Sequence, residues 1–414
     1  MTQDWVARTV PLATAPDLLE VAGRGGLLWR HEHGGIACSG EAFRLEFPQG
    51  IADRGAVCQV SDALRAMAVE DEVGLPGCGP IAIGALPFDP AAAGSLVVPR
   101  RVIGRREDQA WLTMVEPAGA PPDPSEDPVA PATAGEPPEP PDEFSLTPSL
   151  PHAEWKALIA ATVERIAAHE FEKVVLARRI DIAANRPFVI GDVLARLVAL
   201  YPSCMVFSVD GFIGASPELL IAREGDRVTS HPLAGTVARS GDAHADEALV
   251  AGLMSSPKAR GEHQVVVDGL SRALAPVCVE LDIPATPSVL GLRNVSHLAT
   301  FITARLGPSS RETALELVAR VHPTAAVGGD PMDAAVAYLQ KVEGFDRARY
   351  AGPVGWVDAR GDGAWAIGIR SAEVEGADAR IFAGNGVVAG SDPADELAET
   401  QLKLQALLAA LVRP

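Results

Sequence analysis

Near the C-terminal end, the stretch Ile381 to Leu404 (IFAGNGVVAGSDPADELAETQLKL) runs a glycine-rich segment into a helical pattern with Glu396, Glu399 and Lys403 at i, i+3 and i+7. That spacing gathers two carboxylates and an ammonium on one helical face. Two readings are open: a solvated face with an i,i+4 Glu399–Lys403 pair, or one wall of a binding site. In the second, the backbone N–H groups of Gly384 and Gly386 approach a ligand carboxylate unobstructed by side chains. Glu262, in KARGEHQVVVDGL, continues the helical stripe of Val265, Val266 and Gly269. Paired with Glu399 or Glu396, it offers the oxygen ligands that Mg²⁺ prefers. Lys173 opens an alternating strand, and Glu218 follows Ser216-Pro217 at a strand junction. Taken singly, each reads as a surface residue. Buried, a lysine whose reference pKa is near ~10.4 can act as a base, and a glutamate can stay protonated as an acid.

Other motifs fail on context. Gly384-Asn385-Gly386-Val387-Val388-Ala389 matches the dinucleotide fingerprint G-x-G-x-x-A, yet no second strand ending in an acidic residue follows ~20 residues on. Neither H-E-x-x-H nor an EF-hand loop occurs.

The elements that must position these residues are legible in outline. From Leu27 to Glu116, short apolar runs alternate with Gly, Pro and Asp punctuation, which predicts strands joined by turns, with a helix over 61–69. Residues 117–151 are dense in proline, alanine and acid, and are expected to form an extended, flexible connection. Trp155, Leu158, Ile159, Val163 and Ile166 keep helical spacing, and KVVLARRIDIA then alternates with period two. Further helices are expected over 188–200, 245–254, 258–274, 311–321 and 331–340. Hairpins at Asp210-Gly211 and Glu224-Gly225-Asp226, one or two strands over 288–306 and three closing strands complete the pattern. Hairpins interrupted by helices, without β-α-β alternation, indicate an α+β fold.

Composition narrows the function. The formal charge of −19, from 54 acidic and 35 basic residues, argues against a phosphate-backbone partner, which needs clustered Lys and Arg. A small anion is still allowed, because a few local cations or a metal can reverse the field within one cleft. Five cysteines without C-x-x-C spacing indicate neither a disulfide framework nor zinc, which fits a reducing cytoplasm. No apolar run reaches the ~18 residues of a membrane span, and MTQDWVARTV lacks a signal-peptide pattern. A soluble, cytoplasmic protein is expected.

Taken together and in order, KVVLARR, GASPELL, HPLAGT, GEHQVVVDGL, NVSHLATFI, VHPTAAVGG, FDRARYAGPVGW, AIGIRSAEV and AGNGVVAGSDPADELAET resemble the chorismate-utilising enzymes, from Glu154 to the C-terminus. That family comprises the isochorismate, salicylate, anthranilate and aminodeoxychorismate synthases. The resemblance implies a large antiparallel β-sheet sandwich with helices packed outside, around one site for chorismate and Mg²⁺. Residues 1–116 would be a strand-rich part of the same two-lobed domain, and 152–414 the chorismate-binding catalytic region. It also implies roles: Lys173 as the base that activates water for attack at C2, and Glu218 as the acid that protonates the departing C4 hydroxyl. Glu262 and Glu399 look like metal ligands, with Glu396 as a supporting acid. Arg370, Tyr350, Lys403 and the Gly384–Gly386 backbone look like carboxylate-binding elements, and His297 and Thr236 like site-lining residues.

In His322-Pro323-Thr324-Ala325-Ala326, Ala326 resembles isochorismate synthases, where salicylate synthases usually carry threonine. A salicylate synthase, which adds pyruvate elimination, and a chorismate-binding protein without catalysis are the alternatives. The ammonia-using members normally take ammonia from a glutamine amidotransferase; no such obligatory subunit is expected here. Two positions depart from the family: Ala259, where an acid often supports the metal shell, and Asn385, where a small residue is common. The first would weaken Mg²⁺ binding.

Overall fold

The computed structural model describes residues 4–23, 25–32, 34–119 and 138–412. Among them, twenty strands join one hydrogen-bonded network and three more form a separate small sheet. Pairing is antiparallel almost throughout, Trp5–Pro11 beside Ala68–Asp71 being parallel. The network branches at Gly94–Arg106. One arm continues through Gly34–Phe47, Leu27–His31, Met205–Val209, Phe212–Ser216, Ser371–Glu375 and Asp378–Val388 to Lys173–Ala184. The other runs through Ile81–Ala85, Pro353–Asp358 and Gly363–Ile367 to Leu219–Glu224.

Alternation turns one face of each arm toward the other. Trp29, Ile36, Phe207 and Phe212 of the first arm share an apolar cluster with Ile83, Val354, Trp356 and Ala366 of the second. This shared burial makes the α+β sandwich that was expected. Helices cover it from outside. Arg54–Arg65, His152–Ala167, Pro257–Leu274 and Ala314–Val321 contribute to one large cluster, and Ile190–Leu200 and Pro393–Leu411 to another. Among the described residues, no helix is long and apolar enough to cross a membrane.

Several expectations need correction. The helix placed over 61–69 is Arg54–Arg65, because Asp53 caps it by accepting from the Gly55 and Ala56 amides at 2.9 and 3.3 Å. Ala68–Asp71 is instead a strand. Three strands, not one or two, fill 288–306. The connection over 117–151 lies outside the described residues at 120–137, and its end is not a free linker. Phe144–Pro148 pairs with Ala184 to Ile180, since an edge strand tolerates proline and needs few apolar side chains.

Candidate active site

The strand Lys173–Ala184 begins with six buried residues, and Lys173 itself is 1% exposed. Burying an ammonium requires a partner. The partner is Glu262, whose Oε1 lies 3.2 Å from Lys173 Nζ. Glu262 comes from the helix Pro257–Leu274, started by Ser256, which accepts from the Ala259 amide at 3.2 Å. The buried stripe of this helix runs through His263, Val266, Val267 and Leu270, one residue on from the expected stripe. Glu262 therefore sits at its margin, where a carboxylate can reach a cavity. Gly386 packs against this pair. A Cβ there would collide with Glu262 Oε1 and stand 2.8 Å from Lys173 Cε, so any side chain at this position must displace the pair.

Glu218 is placed by the junction between Phe212–Ser216 and Leu219–Glu224. Its amide donates to Ser216 Oγ at 3.2 Å and its carbonyl accepts from the Ile367 amide at 3.1 Å. Burial pushes its carboxyl up to about 7, against the Leu233 amide and the charges of Lys173, Arg370 and Lys403, which pull it down. A carboxyl in that range is poised to give up a proton near neutral pH.

The cationic wall is built by three elements. Arg370, at φ +50°, is buried, and its Nη2 lies 3.2 Å from His297 Nε2. A guanidinium only donates, so Nε2 accepts and the ring proton sits on Nδ1, 3.1 Å from Thr236 Oγ1. Burial, reinforced by Arg370 and Lys403, holds His297 well below its usual range. It is neutral. His297 and Thr236 face each other in the three-stranded sheet. Tyr350 stacks on Phe382 at 4.9 Å, and burial pushes its hydroxyl up to about 12.

From the C-terminal helix Pro393–Leu411, Lys403 Nζ donates to the Gly384 carbonyl at 2.9 Å and to Glu399 Oε1 at 2.5 Å. This pair is not a solvated face; the Lys403 side chain is only 10% exposed.

Glu218, Thr236, Glu262, His297, Ala326, Tyr350, Arg370, Gly384, Gly386, Glu399 and Lys403 all line one cavity. Lys173 stands behind Glu262 and Gly386. Glu396 does not share this wall: its carboxylate is held by Asn385 Nδ2 and by Lys258 Nζ at 3.1 Å, and it is buried. The expected use of Gly384 also changes. Its carbonyl is taken by Lys403. The residue's contribution is room, since a Cβ would lie 3.1 Å from Tyr350 Oη.

Among the described residues, no three His, Cys, Asp or Glu side chains form a metal cluster by themselves. The cavity does hold two hard oxygen donors, Glu262 and Glu399, on separate helices. That set fits a hard divalent cation whose remaining positions are filled by substrate oxygens and water.

Sequence reading missed Arg347, Leu233 and Gly235, which also line the cavity. Gly235, at φ +73° with Ala259 Cβ 3.2 Å from where its own would be, was signalled by the glycine of HPLAGT. Arg347 had no such signal beyond its place in FDRARY.

The family of chorismate binding enzymes matches residues 26–412. The Mycobacterium tuberculosis protein provisionally named isochorismate synthase MenF is 41% identical, over 81% of this chain and 87% of its own. Isochorismate synthase DhbC of Bacillus subtilis is 37% identical, over 80% of this chain and 81% of its own. The solved structure of MenF, the menaquinone-specific isochorismate synthase from Escherichia coli, superposes with a TM-score of 0.81 at 26% identity, covering 100% of this chain and 95% of that one. The chain belongs to the chorismate binding enzymes.

Proposed function

We infer that this chorismate binding enzyme is an isochorismate synthase: water attacks C2 of chorismate and the C4 hydroxyl departs. The observation that carries the reading is Glu218, a buried carboxyl held near 7 inside the cavity that Arg370, Lys403 and Glu262 line. The names of the relatives point the same way.

In this reading Lys173, entering the step as the neutral amine, takes a proton from the attacking water, and Glu218 gives one to the leaving hydroxyl, which departs as water. Return of a proton from Lys173 to Glu218 through solvent then restores the site, so that atoms and charge balance over the isomerisation. Arg370, Tyr350 and Lys403 bind carboxylate, while neutral His297 holds the guanidinium of Arg370 in place without competing for charge. Glu262 and Glu399 would hold a Mg²⁺, which neutralises the ring carboxylate of the substrate. Glu396, bonded to the cavity-lining Asn385 and to Lys258, would support that set from outside the cavity lining, and Ala259 adds no acid beside it. Water is the nucleophile, so no ammonia-delivering subunit is required.

Incubation of the purified protein with chorismate and Mg²⁺ tests the reading by chromatography of the products. Isochorismate without pyruvate is expected. Salicylate with pyruvate, anthranilate on addition of ammonia, or chorismate bound but unchanged would each overturn it.

A further inference from the structure

A buried strand needs partners on both edges, or its N–H and C=O groups go unmet. The strand Lys173–Ala184 pairs with Asp378–Val388 from Lys173 to Ala183. Among the described residues, its other edge is paired only near its ends, by Gly329–Asp330 at Val174 and Lys173, with the Gly328 carbonyl accepting from the Val175 amide at 2.8 Å, and by Phe144–Pro148 from Ile180 to Ala184. Between them the chain is buried, and no strand of the described residues pairs there.

Side chains stand in for it. Glu343 Oε1 accepts from the Ala177 amide at 2.8 Å, and Arg347 Nη2 donates to the Val175 carbonyl at 2.5 Å. Arg347 Nη1 also donates to the Val327 carbonyl at 2.8 Å, next to Ala326. The two residues are joined to each other by Arg347 Nε to Glu343 Oε2 at 2.8 Å and by Nη2 to Oε1 at 2.5 Å, with side chains 4% and 3% exposed. The guanidinium lies 4.3 Å over the Phe88 ring and lines the cavity. A buried ion pair is weak evidence of stabilisation, because apolar side chains of similar volume often serve as well. What this pair does that apolar groups cannot is hold two backbone carbonyls and an amide at fixed points.

We propose that Glu343 and Arg347 are positioning residues for the reaction, replacing a missing strand to set the Lys173 end of the strand and, through Val327, the Ala326 wall. The proposal rests on Lys173 being the base. An apolar filling would leave the Val175 carbonyl and the Ala177 amide unmet, and the start of the strand would be free to shift away from Glu262 and Gly386.

Arg347→Lys keeps a positive charge but loses the planar fork that reaches several acceptors at once. The folded variant is expected to lose about 10- to 100-fold in kcat, as a displacement of reacting groups near 1 Å does. KM should stay within about threefold of the parent, because the loss falls on the transition state. Hydrogen exchange at the Ala177 amide should speed up. A lowered thermal midpoint with kcat of the folded fraction unchanged would mark a merely structural pair and overturn the proposal. If Arg347→Lys does not fold, Glu343→Gln, which keeps an oxygen for Ala177 but not the charge, takes its place under the same two outcomes. Lys173→Ala, run alongside, separates the two ideas. An active Lys173→Ala with an impaired Arg347→Lys overturns the base assignment, whereas an inactive Lys173→Ala with an unimpaired Arg347→Lys overturns the positioning role.

Discussion

Glu218 carries two consequences of burial that pull in opposite directions. As the acid it must be protonated, so kcat should fall as pH rises through about 7. A pH–rate profile measured at saturating chorismate checks this, and a flat profile from pH 6 to 9 would contradict it. For stability, the folded carboxyl binds its proton up to about 7 while the unfolded one releases it near 4.5. Between those values the native state holds more protons, so stability is lost as pH rises. The shift corresponds to about 3 kcal/mol. Glu218→Gln should therefore abolish turnover yet unfold at higher denaturant than the parent at pH 8, with little difference at pH 4. Denaturant titrations at the two pH values check it. The candidate roles of Lys173 and Glu218 came from motif position, and what the sequence could not show was that both are buried.

At the scale of elements, the site depends on glycines where strand and helix meet. Gly386 lies beside Val175 in the register and under the Lys173–Glu262 pair. Gly386→Ala should displace that pair and cost about 100-fold in kcat/KM, as a misplacement near 1 Å does, while circular dichroism stays that of the parent. Unchanged kinetics would mean that the pair is free to move aside. The C-terminal helix shows how much was legible. Its start, its face and the Glu399–Lys403 spacing follow from local pattern. That Lys403 also reaches the Gly384 carbonyl, and that Glu396 turns to Asn385 and Lys258, depends on how distant segments pack. The same is true of Arg347, which joins the Lys173 strand, the loop at Val327 and the ring of Phe88.

At the scale of the molecule, the strand-rich first part and the region carrying the site share one network. Leu27–His31 pairs with Met205–Val209, and Ile81–Ala85 with Pro353–Asp358. Removing residues 1–116 would uncover both edges and half of the cluster between the arms. Residues 152–414 alone should therefore aggregate, and the full chain should unfold in one thermal transition. Two well-separated calorimetric transitions would contradict that unity. The α+β class and most helices were readable from hairpin and helical periods, but the branching at Gly94–Arg106 was not, since which strands pair is set by long-range contacts. The charge of −19 left only a local reversal of field for an anionic substrate, and Arg347, Arg370 and Lys403 are the cations that line the cavity, beside Glu218, Glu262 and Glu399. The central claim is that water attacks C2 in this cavity as the C4 hydroxyl leaves. Turnover of chorismate in ¹⁸O-labelled water, followed by mass spectrometry of the product, tests it most directly. Isochorismate carrying one label at C2 is predicted; unlabelled isochorismate, or no isochorismate at all, would contradict it.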